Sequence, residues 1–161
     1  MYIIMADLIY LTIKGNKQGL ISAGCSSYDS IGNRYQQGHT DEILVYATDY
    51  EISRRQNVSH ANFIFIKGDD KSSPLLLSSI SSNELLECEF KYYRINHSGG
   101  LLHYKTIKLT KASIVKIGNI YPDSLTENEA YPKETIALRY ESITSNNHAA
   151  STSGYSISNN V

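Results

Sequence analysis

The sequence predicts a mainly β protein: two antiparallel sheets packed as a β-barrel or sandwich, with one short flanking α-helix. Three observations carry that prediction. Thirteen Tyr accompany three Phe and no Trp among many Ser, Thr, Ile and Val, a composition that suits pleated strands. Several segments alternate apolar and polar residues with a period of two, and only three prolines are present to interrupt a ladder. A single stretch changes to a helical period. At 161 residues the chain is long enough for one domain whose core needs no staples, so residues 1–161 read as a single unit.

The elements follow in order. Leu8 to Lys14 is apolar on both faces apart from Thr12 and predicts a strand buried on both sides. "NKQG" is a turn and "LISAGCSSY" a second strand. Glu42 to Ser53 predicts one strand with Leu44, Tyr46, Tyr50 and Ile52 on one face. Its other face carries Ile43, Val45, Ala47, Asp49 and Glu51 and becomes polar towards its end. "HANFIFIKG" is a further strand. In "DDKSSPLLLSSI", Ser72 or Ser73 suits a helix N-cap, Pro74 suits the first helical position, and Leu76, Leu77 and Ile80 form one apolar stripe. "LLECEFKYYR" alternates with Leu86, Cys88, Phe90 and Tyr92 inward. "INHSGGLL" is a hairpin connection, and "HYKTIKLTKASIVKI" is one bent strand or two joined by a bulge. "YPDSLTENEAYPKE" is a polar loop. "TIALRYESI" turns Ile136, Leu138 and Tyr140 inward. Residues 145–161 are rich in Ser and Asn and predict a flexible tail, or one that a partner orders.

Charge excludes some functions. Charged residues are 19% of the chain and the net charge is −1, without the clustered Lys and Arg that nucleic acid or an anionic membrane surface requires. The opening "MYIIMADLIYLTIKG" has a short apolar run, contains Asp7 and lacks a small-residue cleavage site, so it reads neither as a signal peptide nor as a membrane span. Met5 reads as a native start, with residues 1–4 added before it. Cys25 and Cys88 are far apart and match no metal spacing; Cys88, on an apolar strand face, reads as a buried free thiol, and a single disulfide between the two is the alternative.

The search for chemistry finds no active site, metal site or cofactor site. His39 lies close to Asp41, with Ser27 and Ser30 upstream, but no Gly-x-Ser-x-Gly elbow accompanies them. His60, His97, His103 and His148 form no i, i+4 pair. Asp49 and Glu51 share a strand face, which by itself reads as solvated. What stands out is "SYDSIGNRYQQGHTDEILVY". A polar, aromatic-dotted excursion of this length in a small domain is a catalytic loop, a partner-binding arm or solvated filler.

Several stretches, in this order, resemble the Hcp family, the tube protein of the bacterial type VI secretion system. They are "GNKQGLISAG", "SSYDSIGNRYQQGHTDEILVYA", "DKSSPLLL", "LTKASIVKI", "ETIALRYESI" and "AASTSGYS", spanning Met5 to Ser156. The resemblance implies a barrel-like domain that is not an enzyme. Six copies close into a ring, and rings stack into a hollow tube. A contracting sheath on its baseplate drives the tube out beneath a VgrG spike, with effector proteins in the lumen. The chain is then cytoplasmic before firing and secreted afterwards without a cleaved signal peptide. No domain follows the tail, which speaks against a version with a fused toxin. The resemblance makes the excursion an arm reaching neighbouring subunits, through Ile31, Gly32, Asn33, Tyr35, Gln36, Gln37, Gly38, His39, Asp41 and Glu42. A loose alignment together with strand alternation places Ala47, Asp49 and Glu51 on the lumen wall. The alternative class is a monomeric secreted β-sandwich binding module, an adhesin or carbohydrate binder whose tyrosines stack on sugars. A hydrolase using His39 and Asp41 is the third reading.

Overall fold

The structure, a computed structural model, describes residues 7–34, 38–126 and 131–158. Its strands are β1 (Leu8–Gly15), β2 (Gly19–Leu20), β3 (Ile43–Asp49), β4 (Ile52–Arg54), β5 (Val58–His60), β6 (Phe63–Gly68), β7 (Leu86–Ile95), β8 (Leu101–Ile120), β9 (Lys133–Arg139), β10 (Ser142–Asn147) and β11 (Thr152–Ile157). The helices are α1 (Tyr28–Ile31), continued by a 3-10 turn over Gly32–Arg34, and α2 (Ser73–Ser82).

One antiparallel sheet runs in the order β11-β10-β8-β7-β1-β3-β6-β9, and β9 returns to pair with β8. Six strands therefore close into a barrel, β10 and β11 extend from it as a flap, and β4–β5 forms a separate small hairpin. The two expected sheets are the two walls of this one sheet. Closure depends on β8, a single bent strand of 20 residues. Its first half pairs with β7 on one side and β10 on the other, and its second half pairs with β9. The bend falls at Lys111, a non-glycine residue with φ +46, beside register shifts in both ladders.

The core fills the barrel as the alternation predicts. Leu86, Cys88, Phe90 and Tyr92 point inward from β7, and Ile136, Leu138 and Tyr140 from β9 and its end. Leu11, Ile13, Phe63, Phe65, Ile107 and Leu109 complete it. Both cysteines are buried free thiols. Burial raises both above the usual thiol range, Cys25 to about 12.

Four details differ from the sequence expectation. The segment after β2 does not continue as a strand. Gly24 takes φ +68, Ser22 Oγ accepts from the Ile13 N–H, and the chain turns while still burying Ile21 and Cys25. The single strand expected over Glu42–Ser53 is two, β3 and β4. In α2, Leu77 is 61% exposed, and the inward stripe is Ser72, Leu76, Ser79 and Ile80, with Leu75 beside it. That set keeps the i, i+4, i+7, i+8 spacing of one helical face and leaves Leu77 off it. Ser72 is the N-cap residue as expected, without a side-chain capping bond; Asp70 Oδ1 accepts from its N–H instead. Finally, the Ser- and Asn-rich stretch expected to be a flexible tail forms the end of β10 and all of β11. These pair from Ser142↔Ile157 to Asn147↔Thr152.

Candidate assembly surface

The excursion leaves the barrel at Ser27 and returns at Glu42, and its return is anchored to its own chain. The His39 ring stacks on Tyr10 with centroids 4.0 Å apart and planes 4° apart, and meets the Tyr93 ring edge-on at 5.3 Å. His39 Nδ1 lies 3.1 Å from Glu42 Oε1. The other oxygen, Glu42 Oε2, is buried without a hydrogen bond and has the Lys91 ammonium 3.7 Å away, too far for a hydrogen bond but close enough for attraction between charges. Gly24 N–H donates to Asp41 Oδ1 at 2.9 Å, Ser26 N–H donates to Thr40 O at 3.1 Å, and the Ser26 hydroxyl donates to Glu42 O. Tyr10 is sealed under this return. Burial first, then the neighbouring Glu42 and Tyr93, push its hydroxyl up to about 12.

The outgoing side is anchored by Arg34. Its guanidinium donates to Tyr46 Oη and lies over the Tyr131 ring at 4.6 Å. Tyr28 stands in solvent, Ile31 and Gly32 are half-buried, and Gly38 is exposed with φ +93. The side chain of Asn33 and residues Tyr35, Gln36 and Gln37 lie outside the described part. Of the ten residues expected in the arm, the structure brings His39, Asp41 and Glu42 together as its root, with intrachain bonds.

The same geometry bears on the hydrolase reading. His39 engages Glu42 rather than Asp41, and Asp41 is occupied by the Gly24 N–H. Ser27 Oγ donates to Gly24 O, and Ser30 Oγ accepts from the Lys71 N–H. The residue types of a triad are present but are not assembled as one. Among the described residues no group of three or more His, Cys, Asp or Glu is placed to hold a metal.

Ala47, Asp49 and Glu51, expected on the lumen wall, are all exposed. The reason is a bulge in β3, where the register with β6 shifts between Val45 and Ala47. Before it, Ile43 and Val45 face the core. After it, Thr48 bonds the buried Tyr92 hydroxyl at 2.8 Å and Tyr50 stacks on Phe63 at 5.5 Å, so Ala47 and Asp49 face out. The strand therefore turns polar by changing faces.

Sequence reasoning missed two further features. Lys67 is fully buried, and its ammonium reaches Glu134 Oε2 at 2.7 Å, Asp70 Oδ1 at 3.1 Å and Ser73 Oγ at 3.0 Å, tying α2 to the barrel. Period-two counting from Phe63 and Phe65 puts Lys67 inward, which was the available signal. The second is the free edge of β11. Among the described residues β11 pairs only with β10, and it exposes Tyr155 by 76% and Ile157 by 55% near the exposed Tyr50 and Ile52.

A six-stranded closed barrel with an anchored arm and a strand flap defines an antiparallel β-barrel domain. The comparisons agree. Residues 10–146 match the family model described as "Type VI secretion system effector, Hcp". The major exported protein of Pseudomonas aeruginosa is 34% identical over 162 residues, covering 93% of this chain and 94% of that protein. The uncharacterized protein YhhZ of Escherichia coli K12 is 41% identical over 140 residues, and the match covers 86% of this chain but 34% of YhhZ. The chain thus spans about a third of YhhZ and nearly all of the major exported protein. A crystal structure of an Hcp protein superposes with a TM-score of 0.89 at 32% identity, covering 94% of this chain and 98% of that one. The secreted protein Hcp3 of Pseudomonas aeruginosa superposes at 0.86 with 34% identity, covering 95% and 99%. The chain belongs to the Hcp family of the type VI secretion system. That is a family of structural, secreted tube proteins and not of enzymes, and the exported relative agrees with secretion. Among the described residues no helix is long and apolar enough to cross a membrane.

Proposed function

We propose that this chain is a tube subunit: six copies close into a ring, rings stack, and the hollow tube leaves the cell beneath a VgrG spike when a sheath contracts on its baseplate. The subunit is cytoplasmic until firing and is exported without a cleaved signal peptide, with effector proteins held in the lumen. The observation that carries this reading is the family match together with two unsatisfied features of the lone barrel. These are the β11 edge, which among the described residues pairs on one side alone and exposes Tyr155 and Ile157, and an arm whose root is anchored while Gly38 is exposed. A head-to-tail ring uses two different patches on each subunit, which an edge and an arm supply. Ile31, Gly32, Asn33, Tyr35, Gln36, Gln37 and Gly38 provide the reach, with His39, Asp41 and Glu42 holding its base. Ala47, Asp49 and Glu51 give the lumen a polar wall.

Size-exclusion chromatography with negative-stain imaging tests the reading. Rings with a central hole are expected from the intact chain. Deletion of residues 32–38 should abolish rings or their stacking, while circular dichroism still reports a folded barrel. Solitary particles from the intact chain would overturn the reading in favour of a monomeric binding module.

A further inference from the structure

Arg34 is the one Lys or Arg in the excursion from Ser27 to Glu42, and three parts of the barrel meet at its guanidinium. Tyr46 belongs to β3, Gly68 ends β6, and Tyr131 lies just before β9. The ladders explain how each arrives there. β3 and β6 pair Val45 with Lys67 and Ala47 with Ile66, so Tyr46 is the extra residue of the bulge. Such a residue is left out of the ladder and its side chain is re-aimed. Here the Tyr46 hydroxyl is carried over Gly68, where it accepts from Arg34 Nη1. Gly68 also pairs with Lys133, which brings the end of the β8–β9 loop to the same place, and the Tyr131 ring lies 4.6 Å from the guanidinium carbon.

Gly68 makes room for this arrangement. A Cβ built there would lie 2.5 Å from Tyr46 Oη and 3.1 Å from Arg34 Nη1. Its φ is not in the left-handed region, so the backbone does not demand glycine at this position. What the missing side chain provides is space for a tyrosine and an arginine. A guanidinium suits the socket, because it donates in its plane while its face stacks on an aromatic ring.

The chain needs a hold at this point. α1 is four residues long, buries none of them, and ends at Gly32 with φ +63. So short a helix has little stiffness of its own, and a glycine after it leaves the chain free to turn. Ser30 Oγ, which accepts from the Lys71 N–H, tethers the limb before that glycine. Among the described residues between Gly32 and Gly38, it is Arg34 whose side chain reaches the barrel.

We propose that Arg34, held by Tyr46 and Tyr131 above Gly68, is the positioning residue that sets the direction in which the arm leaves the barrel, and that ring assembly depends on this socket. The inference rests on the tube-subunit reading and gives the β3 bulge a purpose, which is to deliver the Tyr46 hydroxyl to the arm. An arm whose direction is already set needs less ordering when it meets a neighbour, so opening the socket weakens assembly without weakening the barrel.

Two measurements on the full chain test it. In hydrogen exchange on dilute subunits, the N–H groups of Ser30, Ile31 and Gly32 are bonded to Ser27 O and Tyr28 O. Their protection should fall roughly tenfold in Arg34→Ala and in Gly68→Ala, while that of β7 is kept. In negative stain Arg34→Ala should give roughly tenfold fewer rings than the intact chain, with its thermal transition unchanged. Tyr131→Phe, which keeps the ring face, should assemble as the intact chain does, and Tyr131→Ser should not. Rings from Arg34→Ala at the intact level would overturn the socket and leave the tube reading standing. A thermal transition that falls together with the rings would overturn it too, since Arg34 would then brace the barrel. If the intact chain itself forms no rings, the tube reading and the assembly role fail together, and unchanged protection in Arg34→Ala would overturn the hold on the arm as well.

Discussion

Glu84 is nearly covered, yet burial does not neutralise it. Burial alone would raise its pKa, but bonds from the Gln18 side chain, the Gln18 and Lys17 N–H groups and the Ser79 hydroxyl outweigh that and hold it below the usual carboxylate range. The carboxylate locks the β1–β2 turn to the end of α2. It also explains Gly15, where a side-chain Cβ would collide with Glu84 Oε2. Glu84→Gln should lower stability by about 2–4 kcal/mol in urea unfolding near neutral pH, because charge-assisted bonds to backbone donors are lost. A lowered carboxylate pKa gives stability that is present above about pH 4.3 and is lost as pH falls, so the gap between the two proteins should close in acid. At this scale the sequence was partly legible. Cys88, Phe90, Ile136 and Leu138 are where alternation puts them. The bonds of Glu84, from residues some 66 positions away, were not, because nothing local marks a partner so distant in the chain.

Elements were easier to name than to orient. Pro74 and the apolar spacing locate α2, but three consecutive leucines, Leu75, Leu76 and Leu77, leave its rotation open by about a third of a turn. The choice is made by Ser79, whose hydroxyl must face inward to donate to Glu84 Oε1 and accept from the Gln18 amide. Leu76→Ala should cost about 2–5 kcal/mol. Leu77→Ala should change stability by about 0.5 kcal/mol or less, as at an ordinary surface site. Thermal denaturation of the two variants side by side checks the assignment. The β3 bulge is the same problem in a strand. Period two is readable from Ile43 to Val45, but one inserted residue reverses every face after it.

At the scale of the whole molecule, closure and incompleteness coexist. β8 is long enough to serve both walls, so the barrel seals itself through β9, while β10 and β11 continue past the seal and end in a free edge. On the proposed ring reading this edge receives a second copy, so Tyr155→Asp with Ile157→Lys should abolish rings in negative stain without shifting the thermal transition. Rings that persist in that double variant would show that β11 is not the joint. The buried Lys67, paired with Asp70 and Glu134, sets α2 against the same barrel, and Leu77 is exposed on its outer side.

Period and composition by themselves determined that this protein is a β domain with one main helix, which residues make its core, and, through ordered motifs, which family it resembles. These are properties of neighbouring residues, and the chain carries them locally. The tertiary structure decided which strand closes the barrel, that the Ser- and Asn-rich end becomes β10 and β11, and that His39 roots the arm. Those outcomes depend on backbone pairings and bulges that join residues dozens of positions apart, where a one-residue shift reverses a face and no local pattern records it.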